Sequence, residues 1–210
     1  STGMSGRYYY CIVTSTVGSS KATATSTQVL LTVQAANYSI LNSGKTTYYN
    51  TLATAHAGAK TGGGDSGGGT IKLLTNGLTE SSQVSITKTV TLDLGSAKVL
   101  NLKDPINVTG SNITFTVNST GTAGSLKSSA QTVRNTGKGT VIIKSAKLST
   151  TSTTLPAISN EGGGTLKLSG TTITSDYYII SNTSGSTIIE SGTYKSDRSH
   201  VVLWAKELGA

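Results

Sequence analysis

The sequence predicts an all-β protein whose larger part is a solenoid, and three observations carry that expectation. The first is a repeat. "VRNTGKGTVIIKS" (133–145), "ISNEGGGTLKLSG" (158–170) and "ISNTSGSTIIESG" (180–192) each place an apolar residue, an asparagine, a glycine turn and a short Thr-apolar run in the same order. The second is composition: Ser and Thr make up about a third of the 210 residues, 12% are charged, and there are 25 glycines but two prolines. The third is patterning. Val, Ile and Thr alternate in runs of four to six residues bounded by Gly, Asn and Ser, the mark of short strands joined by tight turns.

The N-terminal stretch stands apart from the repeat. "RYYYCIVTSTVG" and "ATSTQVLLTV" read as two alternating strands, with Cys11 expected inside the first. Tyr9 precedes Cys11 by two residues, the spacing of the tyrosine corner in immunoglobulin sandwiches. Residues 1–36 therefore resemble the last two strands (F and G) of a bacterial Ig-like domain. Two strands cannot close a sandwich. Either the remaining strands lie upstream, in a longer polypeptide that is expected to carry the targeting signals as well, or the hairpin packs on the neighbouring domain.

From residue 37 a second domain is expected, extending to 210. The stretch "TTYYNTLATAHAGAK" predicts a capping helix over about 46–60. Tyr49, Leu52, Ala53 and His56 share one face, and Thr46 or Thr47 is placed to cap it. His56 has no Cys, His or carboxylate at ligand spacing, so it reads as structural. "TGGGDSGGGT" (61–70) reads as a flexible connection. It lacks the Lys-Ser/Thr ending of a phosphate loop.

The repeat then runs through "TIKLL" (70–74), "TLDL" (91–94), "TFTV" (114–117), "TVII" (140–143), "TLKL" (165–168) and "TIIE" (187–190). A period in the low twenties leaves each unit too few apolar residues to fold alone, so stability must come from stacking. In that arrangement Asn135, Asn160 and Asn182 occupy one turn of successive coils as a structural ladder, with Val133, Ile158 and Ile180 stacked inward beside them. Residues 46–210 resemble the right-handed parallel β-helix of the pectate-lyase-like fold, found in secreted and surface proteins of bacteria. In clostridial-type surface proteins of this kind an Ig-like module often precedes the β-helix. The resemblance implies a fold rather than an activity.

Chemistry is thinly signalled. The pectin-cleaving members of that fold use clustered aspartates, whereas this chain has nine carboxylates, mostly one per coil, with no D-x-D or D-D pair. Asp176 and Asp197, each in an S-D step, fall on adjacent coils. Tyr177, Tyr194 and Arg198 lie near them, and His200 follows. These five residues (Asp176, Tyr177, Tyr194, Asp197 and Arg198) are the expected binding surface, because only there do aromatic, acidic and basic side chains converge. No catalytic set, metal site or cofactor is expected.

The net charge of +8 is spread singly over 17 basic residues, so specific nucleic-acid binding is not expected. Acidic or host glycans, or cell-wall polymers, are the candidate partners. One cysteine excludes an intrachain disulfide, and no apolar run reaches membrane-spanning length. The leading expectation is a non-catalytic cell-surface or extracellular segment acting as adhesin body, spacer or glycan-contact surface. A polysaccharide lyase or glycoside hydrolase is the alternative. An ice-binding solenoid is a third, prompted by "TVT" (89–91) and "TFT" (114–116).

Overall fold

A computed structural model describes residues 7–31, 35–42, 44–60, 69–121, 123–197 and 203–205. The chain divides into two units, the first ending at Ala35 and the second beginning at Ala36. The first is an interrupted antiparallel hairpin. Ile12–Val17 pairs with Ser20–Thr25 across a turn in which Gly18 takes φ +60°, and Arg7–Tyr9 pairs with Val29–Leu31. Cys11 sits at the break between the two ladders. Its N–H donates to Ser26 Oγ at 2.9 Å and its carbonyl accepts from the Ser26 N–H at 2.8 Å. Cys11 is exposed, contrary to its expected place in a strand interior. The Tyr9 side chain, which carried the corner resemblance, lies outside the described residues.

The second unit is a parallel β-solenoid of three faces. The first face stacks Thr70–Leu73, Val90–Asp93, Thr114–Asn118, Thr140–Lys144, Thr165–Ser169 and Ser186–Ile189. The second stacks Leu78–Glu80, Val99–Leu102, Ser125–Ser128, Lys147–Thr150, Thr171–Ser175 and Gly192–Ser196. The third stacks Val84–Ile86, Ile106–Val108, Val133–Asn135, Ile158–Asn160, Ile180–Asn182 and Leu203–Ala205. Every neighbouring pair in these stacks is parallel, giving about five turns with a rise of about 4.8 Å per coil.

Alternation within each strand sends every second side chain inward, and the register lines those side chains into continuous rows. Ile71, Leu92, Val117, Ile143 and Leu168 form one row, and Leu100, Leu126, Leu148 and Ile173 another. Val84, Ile106, Val133, Ile158 and Ile180 form a third, all of them buried. Burying a Leu, Ile or Val side chain is worth about 1.5–3 kcal/mol, and no single coil encloses its own row members without a neighbour.

The register differs from the one that aligning the Thr-initiated runs suggests. Thr91 pairs with Thr116 rather than Thr114, and Thr165 pairs with Ser186 rather than Thr187. Parity decides the second case: Thr187 belongs to the inward row of Phe115, Val141 and Leu166, where its Oγ1 is buried with no hydrogen-bond partner.

The first coil is closed by Tyr38–Asn42, which pairs antiparallel with both Lys45–Tyr49 and Thr70–Leu73, and by a helix over Leu52–Gly58. The helix is shorter than its expected span of 46–60. Residues 45–49 are rich in Thr and Tyr, which suit a strand, and the Tyr38–Asn42 edge is there to pair with them. The cap is Thr51, not Thr46 or Thr47. Thr51 and Thr54 form a reciprocal capping box, with the Thr54 N–H donating to Thr51 Oγ1 at 3.2 Å. The buried stripe is Leu52, Ala55, His56 and Ala59, while Ala53 faces solvent. The Gly-rich connection over 61–68 lies outside the described residues.

Two polar side chains, the buried Glu80 and the half-buried Lys88, fasten the helix to the first two coils. Glu80 Oε1 accepts from Tyr38 Oη at 2.7 Å and from the Leu52 N–H, in the first turn of the helix, at 3.0 Å. Burial and the adjoining Glu80 carboxylate push the Tyr38 phenol far above its usual range. At the other end Lys88 Nζ donates to the carbonyls of Ala57, at 3.0 Å, and Ala59. A cation on the last carbonyls complements the helix dipole.

Candidate functional site

The turn from the third face to the first is built on the repeated asparagine. Asn135 Nδ2 donates to Asn160 Oδ1 at 2.9 Å, and Asn160 Nδ2 donates to Asn182 Oδ1 at 2.9 Å. The same amides close their own turns: Asn135 donates to the Gly139 carbonyl at 3.1 Å and Asn160 to the Gly164 carbonyl at 3.0 Å. Glycine is required at 164, since a Cβ there would run into the Gly139 carbonyl and the Asn135 amide of the coil below. This surface is architecture, with its amide N–H groups spent within the stack.

The turn from the second face to the third carries a row that sequence reasoning missed. Ser128, Thr150 and Ser175 are registered partners, buried, and each accepts from the N–H two residues on: Ala130 at 3.0 Å, Ser152 at 3.1 Å and Tyr177 at 3.1 Å. Each hydroxyl starts the bend that leads into the third face. In a chain where every third residue is Ser or Thr, nothing in the sequence singles these out.

On the outer surface of the third face the register aligns Asn107, Arg134, Ser159, Ser181 and Trp204. Arg134 grips Glu161 with two groups: Nε to Oε1 and Oε2 at 3.1 and 3.0 Å, and Nη2 to Oε2 at 2.7 Å. Ser159 Oγ donates to Glu161 Oε1 at 2.7 Å from beneath. Burial works against ionisation of Glu161, but the bonds from Arg134 and Ser159 outweigh it and hold the carboxyl below its usual range. The same bonds hold Arg134 more firmly protonated. The pair lines a groove of about 380 Å³ together with Pro105, Leu155 and Pro156.

The residues expected to bind a ligand are placed as follows. Asp176 follows Ser175 and Asp197 follows Ser196, which are registered partners, so the two aspartates occupy equivalent positions on adjacent coils. The Asp197 N–H donates to the Ser175 carbonyl at 2.9 Å, and its carboxylate pairs with Lys195 at 2.6 Å. Tyr177 stacks on Tyr178 with ring centroids 4.1 Å apart. Tyr194 is registered with Ile173, on the inward side; it packs on the core and its Oη lies 3.1 Å from Thr171 Oγ1 and donates to the Ser191 carbonyl. Tyr194 and Tyr177 are thus not brought to one outward platform. Arg198 and His200 lie outside the described residues.

His56 is buried and its Nε2 accepts from the Thr87 N–H at 3.3 Å. Burial, then the charge of Lys88, lowers its pKa. Among the described residues no three His, Cys, Asp or Glu side chains gather to hold a metal ion, and no helix is long and apolar enough to cross a membrane. Compared with family profiles, curated proteins and solved structures, the chain finds no match.

Proposed function

We propose that this chain is a non-catalytic segment of a bacterial cell-surface or secreted protein. In this reading its solenoid, of the right-handed pectate-lyase-like kind, is an adhesin body or spacer whose lateral surface contacts glycans. The N-terminal hairpin belongs to the end of an Ig-like module.

The observation that carries the reading is how the carboxylates are used. Glu80 holds the capping helix and Tyr38, Asp93 accepts from the Gly95 N–H at 2.8 Å, Glu161 is gripped by Arg134, and Asp197 is paired with Lys195. An acid or base needs a carboxylate free to exchange its proton with substrate, and these four are committed to the fold or to a cation. The outward row of the second face (Thr79, Asn101, Lys127, Ser149, Thr174 and Lys195) adds short polar side chains and single cations at one-coil spacing. That surface matches the hydroxyls of a polymer without gripping any one of them.

A single observation favours the enzyme alternative: Asp176 and Asp197 stand one coil apart, a separation of the order used by retaining glycosidases. A glycan array that includes acidic, neutral and mucin-type sugars, read for binding and for product, decides between the two. Binding without turnover is the expected result. Release of new reducing ends or unsaturated sugars, lost on Asp176→Asn, overturns it.

A further inference from the structure

We propose that the groove on the third face, continued by Trp204, is a binding strip for a linear uncharged glycan. The proposal rests on the glycan-contact reading and gives it a place and a ligand class.

The shape of the groove argues for a polymer. Gln83 comes from the first coil, Pro105 from the second, Arg134 from the third, Pro156 and Ser159 from the fourth and Ser181 from the fifth. Four coil spacings span about 19 Å along the solenoid axis. A site assembled from one or two residues of each successive coil presents a repeating row, which a repeating ligand can follow. Trp204 extends that row by one coil: it is the registered neighbour of Ser181 and is 40% exposed.

Charge and chemistry then select among polymers. The groove carries one cation and one anion, Arg134 and Glu161, and they neutralise each other. Nucleic acid needs several unpaired cations along its track, and the groove supplies none. An extended peptide adds to a sheet through free strand edges, whereas the groove lies on the face of a sheet whose central strands are paired on both sides. A sugar chain fits both features. Its hydroxyls can donate to Glu161 and accept from the guanidinium, Gln83 and Ser181. Its apolar ring faces can lie on Pro105, Leu155, Pro156 and the indole of Trp204. Because Arg134 and Ser159 already fix the Glu161 carboxylate, its orientation is set before a ligand arrives.

Trp204 is the one tryptophan of the chain, so its emission reports on this strip directly. The test titrates the whole protein with linear gluco- and manno-oligosaccharides of increasing length, and separately with polygalacturonate, following fluorescence and calorimetry. The expected result is a change in Trp204 emission with the neutral sugars, an affinity that rises with length, and little dependence on salt. Glu161→Gln is expected to weaken binding about tenfold, the effect of losing a charged hydrogen-bond acceptor. Ser181→Phe fills the groove and leaves the Arg134–Glu161 pair intact, so it should abolish binding in a protein that still folds.

Neutral-sugar binding that survives Ser181→Phe and Glu161→Gln places the contact elsewhere and overturns this inference while leaving the glycan reading standing. Binding confined to polygalacturonate and lost at high salt does the same. No binding to any glycan overturns both.

Discussion

Asn135 is registered on Val108 rather than on another asparagine, and its buried Oδ1 accepts no hydrogen bond. Each amide in the row donates towards the next coil, so the first member is left with an acceptor facing an aliphatic side chain. Replacing Val108 with Asn only moves the orphan one coil further, to face Ile86. A hydroxyl has the same shape as a methyl and supplies the missing donor. Val108→Thr is therefore expected to leave the urea midpoint unchanged or raised, with a gain of up to about 1 kcal/mol. The same change at Val117 or Val133, in purely aliphatic rows, should cost about 1–3 kcal/mol. Equal losses at all three positions would show that the Asn135 acceptor is not relieved.

Ile180 lies between Ile158 and Leu203 in the inward row of the third face and has no exposed surface. Ile180→Ala should cost about 2–5 kcal/mol, because coils fixed by backbone hydrogen bonds on three faces cannot collapse into the space. Leu203 ends the same row and is 42% exposed. Leu203→Ala should cost well under half as much. Denaturant midpoints of the two variants, with unchanged slopes, check the ratio.

Stability should fall on mild acidification through His56. Its folded pKa lies below the ordinary value, so the unfolded chain binds the proton more tightly. The neutral-imidazole contribution is complete above about pH 6.5 and is lost as the pH falls from there towards the folded pKa, at no more than about 1.4 kcal/mol per pH unit. The acceptor bond from the Thr87 N–H breaks on protonation. Midpoints measured at pH 7.5 and 5.5 should differ in the parent and converge in His56→Gln. A parent midpoint flat across that interval contradicts the assignment.

Glu80 joins two donors, Tyr38 Oη and the Leu52 N–H, through one carboxylate oxygen. Glu80→Ala should cost about 2–4 kcal/mol by orphaning both, and Glu80→Gln clearly less, since an amide oxygen still accepts. Hydrogen exchange locates the damage: protection should fall first over residues 52–58. Uniform loss across all coils would mean that the cap and the solenoid unfold together.

How much of this was readable from the chain follows from where the constraint lies. The solenoid was legible because an Asn with a Gly three or four residues on recurs at coil spacing, and stacked turns tolerate few other residues there. The helix start was not, because Thr46, Thr47 and Thr51 are equal as caps until the pairing of Lys45–Tyr49 removes the first two. The Thr187 register was not, because a one-residue slip leaves the local pattern intact and only parity against Leu166 reveals it. The Arg134–Glu161 pair joins residues 27 apart, and no local pattern marks a partner at that distance. The groove needs Leu155 and Pro156, which belong to no repeated motif of the sequence.

The hydrogen bonds that join one coil to the next run along the solenoid axis, and this gives the unit a definite response to mechanical load. An end coil is held by one neighbour and an inner coil by two, so a pull on the chain should peel coils away in succession from an end rather than rupture them together. The coil between Asn160 and Asn182 contains 22 residues. Released and straightened, such a length of chain spans roughly 75 Å, against the 4.8 Å or so that it occupied in the stack. A solenoid loaded in this way behaves as a string of small extensible links, able to absorb a pull by lengthening stepwise while the remaining coils stay folded.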